Sequence, residues 1–344
     1  MARVIHQARQ MAHLGLVGDA PQVEMGRVSA YVQGVIKQVE ANEKSLVEGV
    51  EVRFGHVAFQ TATTLTLNGE TIYSRNTIIA TGSHPAIPPI KGLAETGYLT
   101  NEGVFDLNRL PASLLVVGGG PIGAELSQAF ARLGTRVTLI QGPEHILPRE
   151  DPEVSESIAN VLRSEGVKIL SGARLAHARR QGTTRIVTIR RGEQEEEIEA
   201  EEILLAVGRQ PNVGDLNLEA AGVRYNSEGI AVDAYLRTGA PNILAIGDVI
   251  GGYLFTHVAA YQAGIAVRNA LVPISKKRVD YRVVPWCTFT DPEVARVGLT
   301  PAEAQRAYPQ VRVVKFPYTG IDRAQTEGAT TGFIKLALAG KKDE

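Results

Sequence analysis

The chain has 344 residues, of which 44% are hydrophobic, and its 36 basic residues nearly balance its 37 acidic ones. This length allows about two or three packed domains, and the near-neutral charge excludes a general attraction to nucleic acid or to an anionic membrane surface. A single cysteine excludes an intrachain disulfide and a cysteine-based metal site. We therefore expect small-molecule or protein partners, no nucleic acid, no membrane, and a reducing, cytoplasmic location.

Signals for targeting, membrane insertion and metal binding are also missing from the sequence. The first residues, MARVIHQARQ, mix basic and polar side chains and lack the apolar core of a secretory signal. No apolar run approaches the roughly 20 residues that would span a bilayer. The seven histidines are scattered without metal-ligand spacing, so we expect no metal site.

After a helical N-terminal stretch, the chain predicts strands in an order that occurs twice. Residues 51–60 open a meander that turns at Asn68-Gly69, and the apolar strand 76–82 follows. In the second copy a short strand at residues 167–170 precedes a meander over residues 174–200, and the apolar strand 203–208 follows. The chain therefore contains an imperfect internal repeat.

The two copies differ in what precedes the meander. The later copy follows a strand, a glycine-rich turn, a helix and a second strand (LLVVGGGPIGAE and RVTLI), whereas only helical sequence precedes the earlier copy. A buried parallel strand such as 76–82 needs neighbouring strands and a covering helix. We therefore expect an N-terminal truncation, and the last strand, which runs directly into GKKDE, predicts a shortened C-terminal domain as well.

The most specific motif is Gly118-x-Gly120-x-x-Gly123, which lies between an apolar strand and a helix predicted over Ile122–Leu133. The first glycine permits a tight turn, the second lets the backbone approach a pyrophosphate, and the third lets helix and strand pack closely. The helix N-terminus then faces the phosphates. Because a second strand over Arg136–Ile140 completes the unit, we predict an NAD(P) site lined by Gly118, Gly119, Gly120, Pro121, Ile122 and Gly123.

The choice between NAD and NADP stays open at this point. The residue that closes the second strand is acidic where a 2′-hydroxyl is bound, and an arginine lies nearby where a 2′-phosphate is bound. Here that residue is Gln141, and Gly142 follows it. Since an amide can hydrogen-bond either group, Gln141 does not discriminate by charge.

Two more apolar strands end in glycine or a short polar residue, IIATG at Gly82 and ILAIGD at Asp248. Ligands of open α/β sheets bind at such carboxyl ends. Asp248 either hydrogen-bonds a ligand hydroxyl or caps the helix that follows. The rest of the pattern predicts helices over 256–271 and 301–307, and strands over 286–289, 311–316 and 332–338.

Four segments, TIIATGSHPAIPPI, LLVVGGGPIGAELSQAFARLGTRVTLI, ILLAVGRQPN and NILAIGDV, occur in the order and spacing of a known family. With them the chain resembles the pyridine nucleotide-disulfide oxidoreductases over nearly its whole length. The segments ILPREDPEVSE, FTHVAAYQAG and WCTFTDPEVARVGLTPAEA are similar to the mercuric reductase and dihydrolipoamide dehydrogenase branch.

This resemblance implies an α/β fold of two doubly wound, Rossmann-like nucleotide domains with β-meander insertions, plus a partial α+β interface domain. Residues 1–110 and 240–276 would form a partial FAD-binding domain. Residues 111–239 would form the NAD(P)-binding domain, and residues 277–344 a partial dimerisation domain. The full-length protein would be a homodimer.

The resemblance also implies roles for particular residues. Gly208 and the glycine loop would line the NAD(P) site, and Asp248 would bind the ribityl chain of FAD. Glu125 resembles an acidic residue that pairs with a lysine near the flavin and the nicotinamide, although a plain helix-surface glutamate fits it too. The residues expected to contact FAD are Thr81, Gly82, Asp248, Leu254, Phe255, Thr256 and His257.

The sequence departs from the family pattern in three places. It contains neither the first glycine-rich loop for FAD nor the redox motif of two cysteines separated by four residues, and the family's His-Glu pair would lie beyond Glu344. Cys287 lies in a predicted strand far from the redox position, so we interpret it as a buried structural cysteine. No catalytic residue is therefore predicted beyond the flavin-proximal candidate Glu125.

These observations support three hypotheses. The first is a truncated FAD- and NAD(P)-dependent disulfide oxidoreductase, whose family substrate is a dithiol, a disulfide or mercuric ion and which cannot turn over a dithiol alone. The second is a flavin-dependent NAD(P)H reductase or oxidase that uses no disulfide. The third is a non-catalytic nucleotide-binding fragment.

Overall fold

The computed structural model describes residues 1–11, 15–19, 21–272 and 274–339. By its internal contacts the chain divides into two compact units. Unit 1 consists of Met1–Val39, Ile87–Gly208 and Pro285–Glu344, and unit 2 consists of Glu40–Ala86 and Arg209–Val284. The domain bounds expected from the sequence rest on the family resemblance and stay predictions.

The described residues form both α-helices and β-strands. The α-helices are α1 (Ala2–Gln10), α2 (Met25–Ser45), α3 (Leu93–Thr96), α4 (Pro121–Leu133), α5 (Pro152–Ser164), α6 (Thr256–Leu271), α7 (Pro301–Ala307) and α8 (Asp322–Thr326). The strands are β1 (Val57–Thr61), β2 (Thr64–Leu67), β3 (Glu70–Tyr73), β4 (Thr77–Ile79), β5 (Ser83–Pro85), β6 (Ser113–Val117), β7 (Arg136–Gln141), β8 (Lys168–Ser171), β9 (Ala173–Gln181), β10 (Thr184–Arg191), β11 (Gln194–Ala200), β12 (Glu202–Leu205), β13 (Arg209–Pro211), β14 (Tyr225–Asn226), β15 (Gly229–Ile230), β16 (Ile243–Ala245), β17 (Pro285–Thr288), β18 (Val294–Val297), β19 (Val311–Pro317) and β20 (Phe333–Ala339). None of the helices in the described ranges is long and apolar enough to cross a membrane.

Unit 1 is built on a parallel sheet with the strand order β12-β6-β7-β8. The central strand β6 has the apolar run Leu114–Val117 without alternation, because both faces of the sheet are covered. Leu114 and Val116 pack with side chains of α4 and α5. Leu115 and Val117 pack instead with the antiparallel meander β9-β10-β11. The sheet is therefore a middle layer between two helices and a meander.

The C-terminal segment of unit 1 is tied to α4 by buried polar contacts. The Gln128 side chain exchanges two hydrogen bonds with the backbone of Asp291, at 2.7 and 2.8 Å. The guanidinium of Arg132 forms ion pairs with Glu165 at 2.6 Å and with Asp291 at 2.7 Å. Only 4% of the Arg132 side chain is exposed, so this charge depends on its two carboxylate partners.

The same segment has a second antiparallel pair, β19 and β20, joined over seven residue pairs. Several of its apolar side chains are exposed, namely Val313, Val314, Phe316, Ile334 and Leu336.

Helix α7 begins with a capping box, in which the Glu303 backbone N–H donates to the Thr300 hydroxyl and the Thr300 backbone N–H donates to the Glu303 carboxylate. Helices α6 and α7 have the bounds predicted from the sequence.

Unit 2 contains the parallel pair β4 and β16, in which Ile79 lies opposite Ala245. Ile79 and Ile243 belong to a core cluster with Phe59 of the meander β1-β2-β3. A second cluster packs Leu244 against Ile265 of α6. The two apolar strands that the sequence singled out are thus neighbours, and their carboxyl ends lie at the same edge.

The strand predicted over residues 51–60 is wrong in its first half, because β1 begins only at Val57. Its partner β2 ends at Leu67, so the preceding residues have no strand to pair with. The side chain of Asn68 provides the hydrogen-bond partners that a strand would otherwise supply to these residues. Its amide donates to the Phe54 carbonyl at 3.1 Å, and its side-chain carbonyl accepts from the His56 N–H at 3.0 Å.

Candidate nucleotide-binding site

The turn between β6 and α4 requires glycine at two positions. Gly118 has a φ of +107°, and a Cβ there would lie 2.4 Å from the Ala206 carbonyl oxygen on the neighbouring chain segment. A Cβ on Gly123 would lie 1.8 Å from the Gly118 carbonyl oxygen. Both distances are far below van der Waals contact, so another residue at Gly118 would displace the segment after β12, and another residue at Gly123 would push α4 away from the turn.

The third motif glycine has a different environment. Gly120 is the N-cap of α4 and Pro121 is its first residue, and no side chain caps the helix. A Cβ on Gly120 would meet nothing within 4 Å, so the space in front of the helix N-terminus is open. The first backbone N–H groups of a helix have no intrahelical acceptor and favour an anion. These residues, with Ile122 in the first turn, form a cradle that fits a pyrophosphate.

Gln141 ends β7 and is buried, with 6% of its surface exposed. Its side-chain carbonyl accepts a hydrogen bond from the Gly119 N–H at 2.6 Å, and its amide donates to the His145 carbonyl at 3.4 Å. A Cβ on Gly119 would lie 3.3 Å from this amide group. Gln141 therefore supports the glycine loop from behind, a role that the sequence did not predict.

Gly208 follows β12, whose Leu205 lies opposite Val117 of β6. Because the two strands are parallel, the loop containing Gly208 leaves the sheet at the edge where the glycine loop lies. Gly208 has a φ of +119°, a conformation that other residues rarely adopt. The expected NAD(P) residues of unit 1 are thus gathered at one edge of one sheet.

Glu125 lies in the second turn of α4, and its carboxylate accepts a hydrogen bond from the Phe289 N–H at 2.8 Å. Burial raises the pKa of this carboxyl, and the hydrogen bond from Phe289 lowers it in part. Within the described residues, no lysine forms an ion pair with Glu125. The lysine partner that the resemblance implied is therefore not found there.

In unit 2 the Asp248 carboxylate lies in a polar chain just after β16. The Ser83 hydroxyl donates to Asp248 at 2.6 Å and accepts from Arg209 Nε at 2.7 Å. Arg209 Nε also lies 3.7 Å from the Asp248 carboxylate. Asp248 is thus held by side chains, and its own side chain stays 23% exposed.

Thr81 and Gly82 are held by a single asparagine. The Thr81 hydroxyl donates to the Asn212 carbonyl at 2.8 Å, and the Asn212 amide donates to the Thr81 carbonyl at 2.8 Å. The Asn212 N–H also donates to the Gly82 carbonyl at 2.9 Å. Sequence reasoning missed Ser83, Arg209 and Asn212. The repeat contained a signal for them, because SHP (83–85) and RQPN (209–212) each follow the apolar strand of one repeat copy. In the structure these two segments pair as β5 and β13.

The segment from Leu254 to His257 leads into α6, which has Phe255 as its N-cap and Thr256 as its first residue. The Phe255 and His257 rings stack with their centroids 5.5 Å apart. Farther along the helix, the buried Gln262 carbonyl accepts from the Gly247 N–H at 2.6 Å. This bond fixes α6 to the turn that carries Asp248.

Cys287 lies in β17 opposite Ala295 and is half-buried, less enclosed than the sequence suggested. Burial raises the pKa of its thiol, and the carboxylates of Glu293 and Glu125 raise it further. A raised pKa disfavours the thiolate, which is the nucleophilic form. In the described ranges, no group of three or more His, Cys, Asp or Glu side chains is placed to hold a metal ion.

A parallel sheet whose first strand runs through a glycine turn into a helix defines a dinucleotide-binding α/β protein. More specifically, the chain belongs to the pyridine nucleotide-disulphide oxidoreductase family, whose model matches residues 2–263. The dimerisation domain of the same family matches residues 284–344. Members of this family use FAD and NAD(P)H. The fold class and the family inferred from the sequence are confirmed.

The curated relatives of this chain include mercuric reductases and dihydrolipoyl dehydrogenases. A mercuric reductase from Staphylococcus aureus is 37% identical over 328 residues, which cover 94% of this chain and 60% of that protein. A dihydrolipoyl dehydrogenase from Thermus scotoductus is 35% identical over 347 residues, covering 97% of this chain and 73% of that protein. The chain thus spans little more than half the length of the mercuric reductases, and 54% of one from Bacillus cereus.

Solved structures resemble the chain as well. The HOCl-induced flavoprotein disulfide reductase RclA from Escherichia coli superposes with a TM-score of 0.84 at 30% identity, covering 97% of this chain and 75% of that one. LpdA from Mycobacterium tuberculosis gives a TM-score of 0.88 at 28% identity, covering 99% of this chain and 75% of that one.

Proposed function

We propose that this chain binds NAD(P)H at the glycine cradle of unit 1 and FAD at the strand ends of unit 2. It would belong to an FAD-dependent oxidoreductase that passes hydride between NAD(P)H and flavin. The domains would then be those expected from the sequence: residues 1–110 and 240–276 for FAD, 111–239 for NAD(P), and 277–344 for dimerisation. The cofactors supply the redox chemistry once bound, and the protein supplies their binding and orientation.

The single observation that carries this proposal is the geometry of the cradle. Gly118 and Gly123 lie where a Cβ would collide with backbone, whereas the space at Gly120 is open. Gly119, Pro121 and Ile122 complete the turn, and the α4 N-terminus would meet the pyrophosphate with its free N–H groups. Gly208 would border the same site from the neighbouring strand.

For FAD, the residues that fit best are Asp248 and Thr81. The Asp248 carboxylate is partly exposed and is oriented by Ser83 and Arg209, so it can accept hydrogen bonds from ribityl hydroxyls. Gly82, with a φ of +69° and no atom within 4 Å of a built Cβ, leaves room for close approach of a ligand. Leu254, Phe255, Thr256 and His257 would line the flavin side of the site.

The substrate of the whole protein would be a dithiol, a disulfide or mercuric ion, as the family resemblance implies, and the curated relatives include a mercuric reductase and a dihydrolipoyl dehydrogenase. The chain has one cysteine, so one chain cannot form the dithiol of the family's redox motif. We therefore expect this chain to bind NAD(P)H and flavin but not to reduce lipoamide or mercuric ion alone. By the family resemblance, Glu125 would be a flavin-proximal residue.

The experiment is to purify the chain, add FAD, remove the excess, and measure bound flavin by its visible absorbance and NAD(P)H binding by fluorescence. Asp248→Ala should lower the flavin content, whereas Asp280→Ala should not, since the ion pair of Asp280 in the described part of the chain is with the exposed Arg282. NAD(P)H-dependent reduction of lipoamide or mercuric ion by this chain would contradict the expected lack of turnover. If the chain binds neither FAD nor NAD(P)H, the proposal is rejected.

A second candidate follows from the single cysteine. A flavin reductase or NAD(P)H oxidase needs only flavin beside nicotinamide, so it needs no dithiol. Consumption of NAD(P)H with oxygen or a quinone as the acceptor, unchanged in Cys287→Ser, would favour it. If NAD(P) raises the melting temperature while FAD does not and no turnover occurs, the chain is a non-catalytic nucleotide-binding module instead.

We also infer that the whole protein is a homodimer in the cytoplasm. The match of residues 284–344 to a dimerisation domain supports the first statement, as do the exposed apolar side chains of β19 and β20. The low cysteine content supports the second. Light scattering after gel filtration would measure the oligomeric state directly.

A further inference from the structure

The residue that ends β7 and the residues that follow it decide whether a βαβ unit of this kind accepts NAD or NADP. Here Gln141 ends β7 and Gly142 follows it. Gly142 has no side chain of its own, and another residue fills the space beside it. The side chain of Arg174 lies over Gly142, with its Cγ and Nε each 3.8 Å from the place where a Cβ would be. Arg174 belongs to β9, 32 positions farther along the chain, so the arginine was not recognisable from the motif.

Arg174 is fixed in this place by backbone contacts. Ser171 of β8 lies opposite Gln141 of β7 in the parallel sheet. The next residue, Gly172, donates its N–H to the Pro143 carbonyl at 3.2 Å, which ties the start of β9 to the loop after β7. The residues on either side of Arg174, Ala173 and Leu175, are buried. Strand alternation therefore turns Arg174 away from the core.

The guanidinium of Arg174 is not used inside the protein. Among the described residues it forms neither an ion pair nor a hydrogen bond, and its side chain is exposed. Two other arginines of the same meander have carboxylate partners: Arg179 pairs with Glu197 and Arg190 pairs with Glu195. Unlike these two, Arg174 presents an unpaired cation.

Gln141, the residue that would carry the acidic group of an NAD-selective site, is occupied elsewhere. Its amide is buried and bonded to the backbone of Gly119 and His145. It therefore offers no carboxylate to the 2′-hydroxyl of NAD and no repulsion to the 2′-phosphate of NADP. The Glu144 carboxylate, in the exposed loop after β7, would repel a 2′-phosphate. It carries a single negative charge, however, whereas the Arg174 guanidinium offers a positive charge and five hydrogen-bond donors.

We propose that Arg174 binds the 2′-phosphate of NADP(H) and makes this site selective for NADP(H) over NAD(H). The inference rests on the proposed function, because it assumes that a dinucleotide occupies the glycine cradle. The guanidinium matches a phosphate by two parallel N–H···O bonds, which are stronger than neutral hydrogen bonds. Arg174 is a specificity-determining residue that takes no part in the redox step.

The test uses two probes that differ only in the 2′-phosphate, NAD⁺ and NADP⁺, titrated calorimetrically into the purified chain. We expect NADP⁺ to bind about 10- to 100-fold more tightly than NAD⁺, the range that one or two charge-assisted hydrogen bonds give. Arg174→Gln should remove this preference and leave NAD⁺ binding unchanged. Arg174→Lys, which keeps the charge without the fork, should retain part of it. Arg179→Gln on the same strand is the matched control.

The outcomes separate the two proposals. Equal binding of both probes, unaffected by Arg174→Gln, overturns the role of Arg174 and leaves the nucleotide site intact. An equal loss of both probes in Arg174→Gln also overturns it, because the residue would then act on the fold or on the common phosphates. If neither probe binds the unaltered chain, the proposed function fails and the selectivity fails with it.

Discussion

The side-chain carbonyl of Gln141 accepts a hydrogen bond of 2.6 Å from the backbone N–H of Gly119. One residue closes the second strand of the βαβ unit, and the other lies inside the phosphate-facing turn. The position that usually recognises the ribose therefore serves here to hold the loop. This exchange of roles gives a first prediction.

Gln141→Met should keep the buried volume but leave the Gly119 N–H without its acceptor. We expect a loss of about 1–3 kcal/mol in the free energy of unfolding, the cost of an unsatisfied buried donor, together with weaker binding of NADPH. Urea denaturation measures the first and fluorescence titration the second. A Gln141→Met protein with unchanged stability and unchanged NADPH binding would contradict this explanation.

The two helix-side glycines should respond differently to alanine. At Gly123 a Cβ would lie 1.8 Å from the Gly118 carbonyl oxygen, so Gly123→Ala should cost about 1–3 kcal/mol of stability through overpacking. At Gly120 a Cβ meets nothing within 4 Å, so Gly120→Ala should leave the melting temperature unchanged.

Both alanine variants should lose affinity for NADPH and NADH, for different reasons. In Gly120→Ala the new methyl group would occupy space that the pyrophosphate needs. In Gly123→Ala the helix would move. Full affinity in a stable Gly120→Ala protein would show that the dinucleotide does not approach this turn.

Breaking the buried ion pair of Arg132 should be costly. Arg132→Met leaves Glu165, whose side chain is 9% exposed, without the guanidinium that neutralises it and with the uncharged Gln128 amide as a donor at 3.1 Å. We expect a loss of about 3–5 kcal/mol. The matched control is Arg163→Met, since the pair of Arg163 with Glu156 is exposed on both sides and should contribute less than about 1 kcal/mol. Chemical denaturation of the two variants compares them, and similar losses would argue against the buried network.

Glu125 should make stability depend on pH. Burial raises its pKa in the folded state above the ordinary 4.5, so the folded protein binds the proton more tightly than the unfolded chain. The stability that this proton provides is complete below pH 4.5 and is lost as pH rises through the higher folded pKa. Glu125→Gln removes the dependence and should therefore melt at a higher temperature than the unaltered chain at pH 7.

This advantage of Glu125→Gln should shrink as pH falls towards 4.5. The introduced side-chain amide can still accept from the Phe289 N–H through its carbonyl oxygen, so the comparison isolates the charge. Melting curves of both proteins across this pH range test the prediction. A difference that stays constant with pH would mean that ionisation of Glu125 is not its cause.

The sequence predicts the local elements of this protein well, because their signals are local. The helix predicted over Ile122–Leu133 gains one residue at its start, at Pro121, and the glycine spacing identifies the cradle. The strand predicted over residues 51–60 is wrong at its start because its length depends on a partner strand, which ends at Leu67.

The contacts that single-sequence reasoning missed are all distant in the chain. Ser83 and Arg209, which orient Asp248, are separated by 126 positions. Arg174 reaches Gly142 only because β8 pairs with β7 and β9 turns back beside it. Such contacts follow from strand order, which neither periodicity nor motif spacing encodes.

Helix α4 begins at the open space in front of Gly120 and, three turns later, bears the Arg132 side chain that Glu165 and Asp291 neutralise. A minimal nucleotide-binding fragment therefore cannot simply be cut from the gene before residue 284. Removing the C-terminal segment would take Asp291 from Arg132 and leave Gln128 without both of its backbone partners there. Anyone dissecting this protein should keep that segment attached, or replace Gln128 and Arg132 together when it is removed.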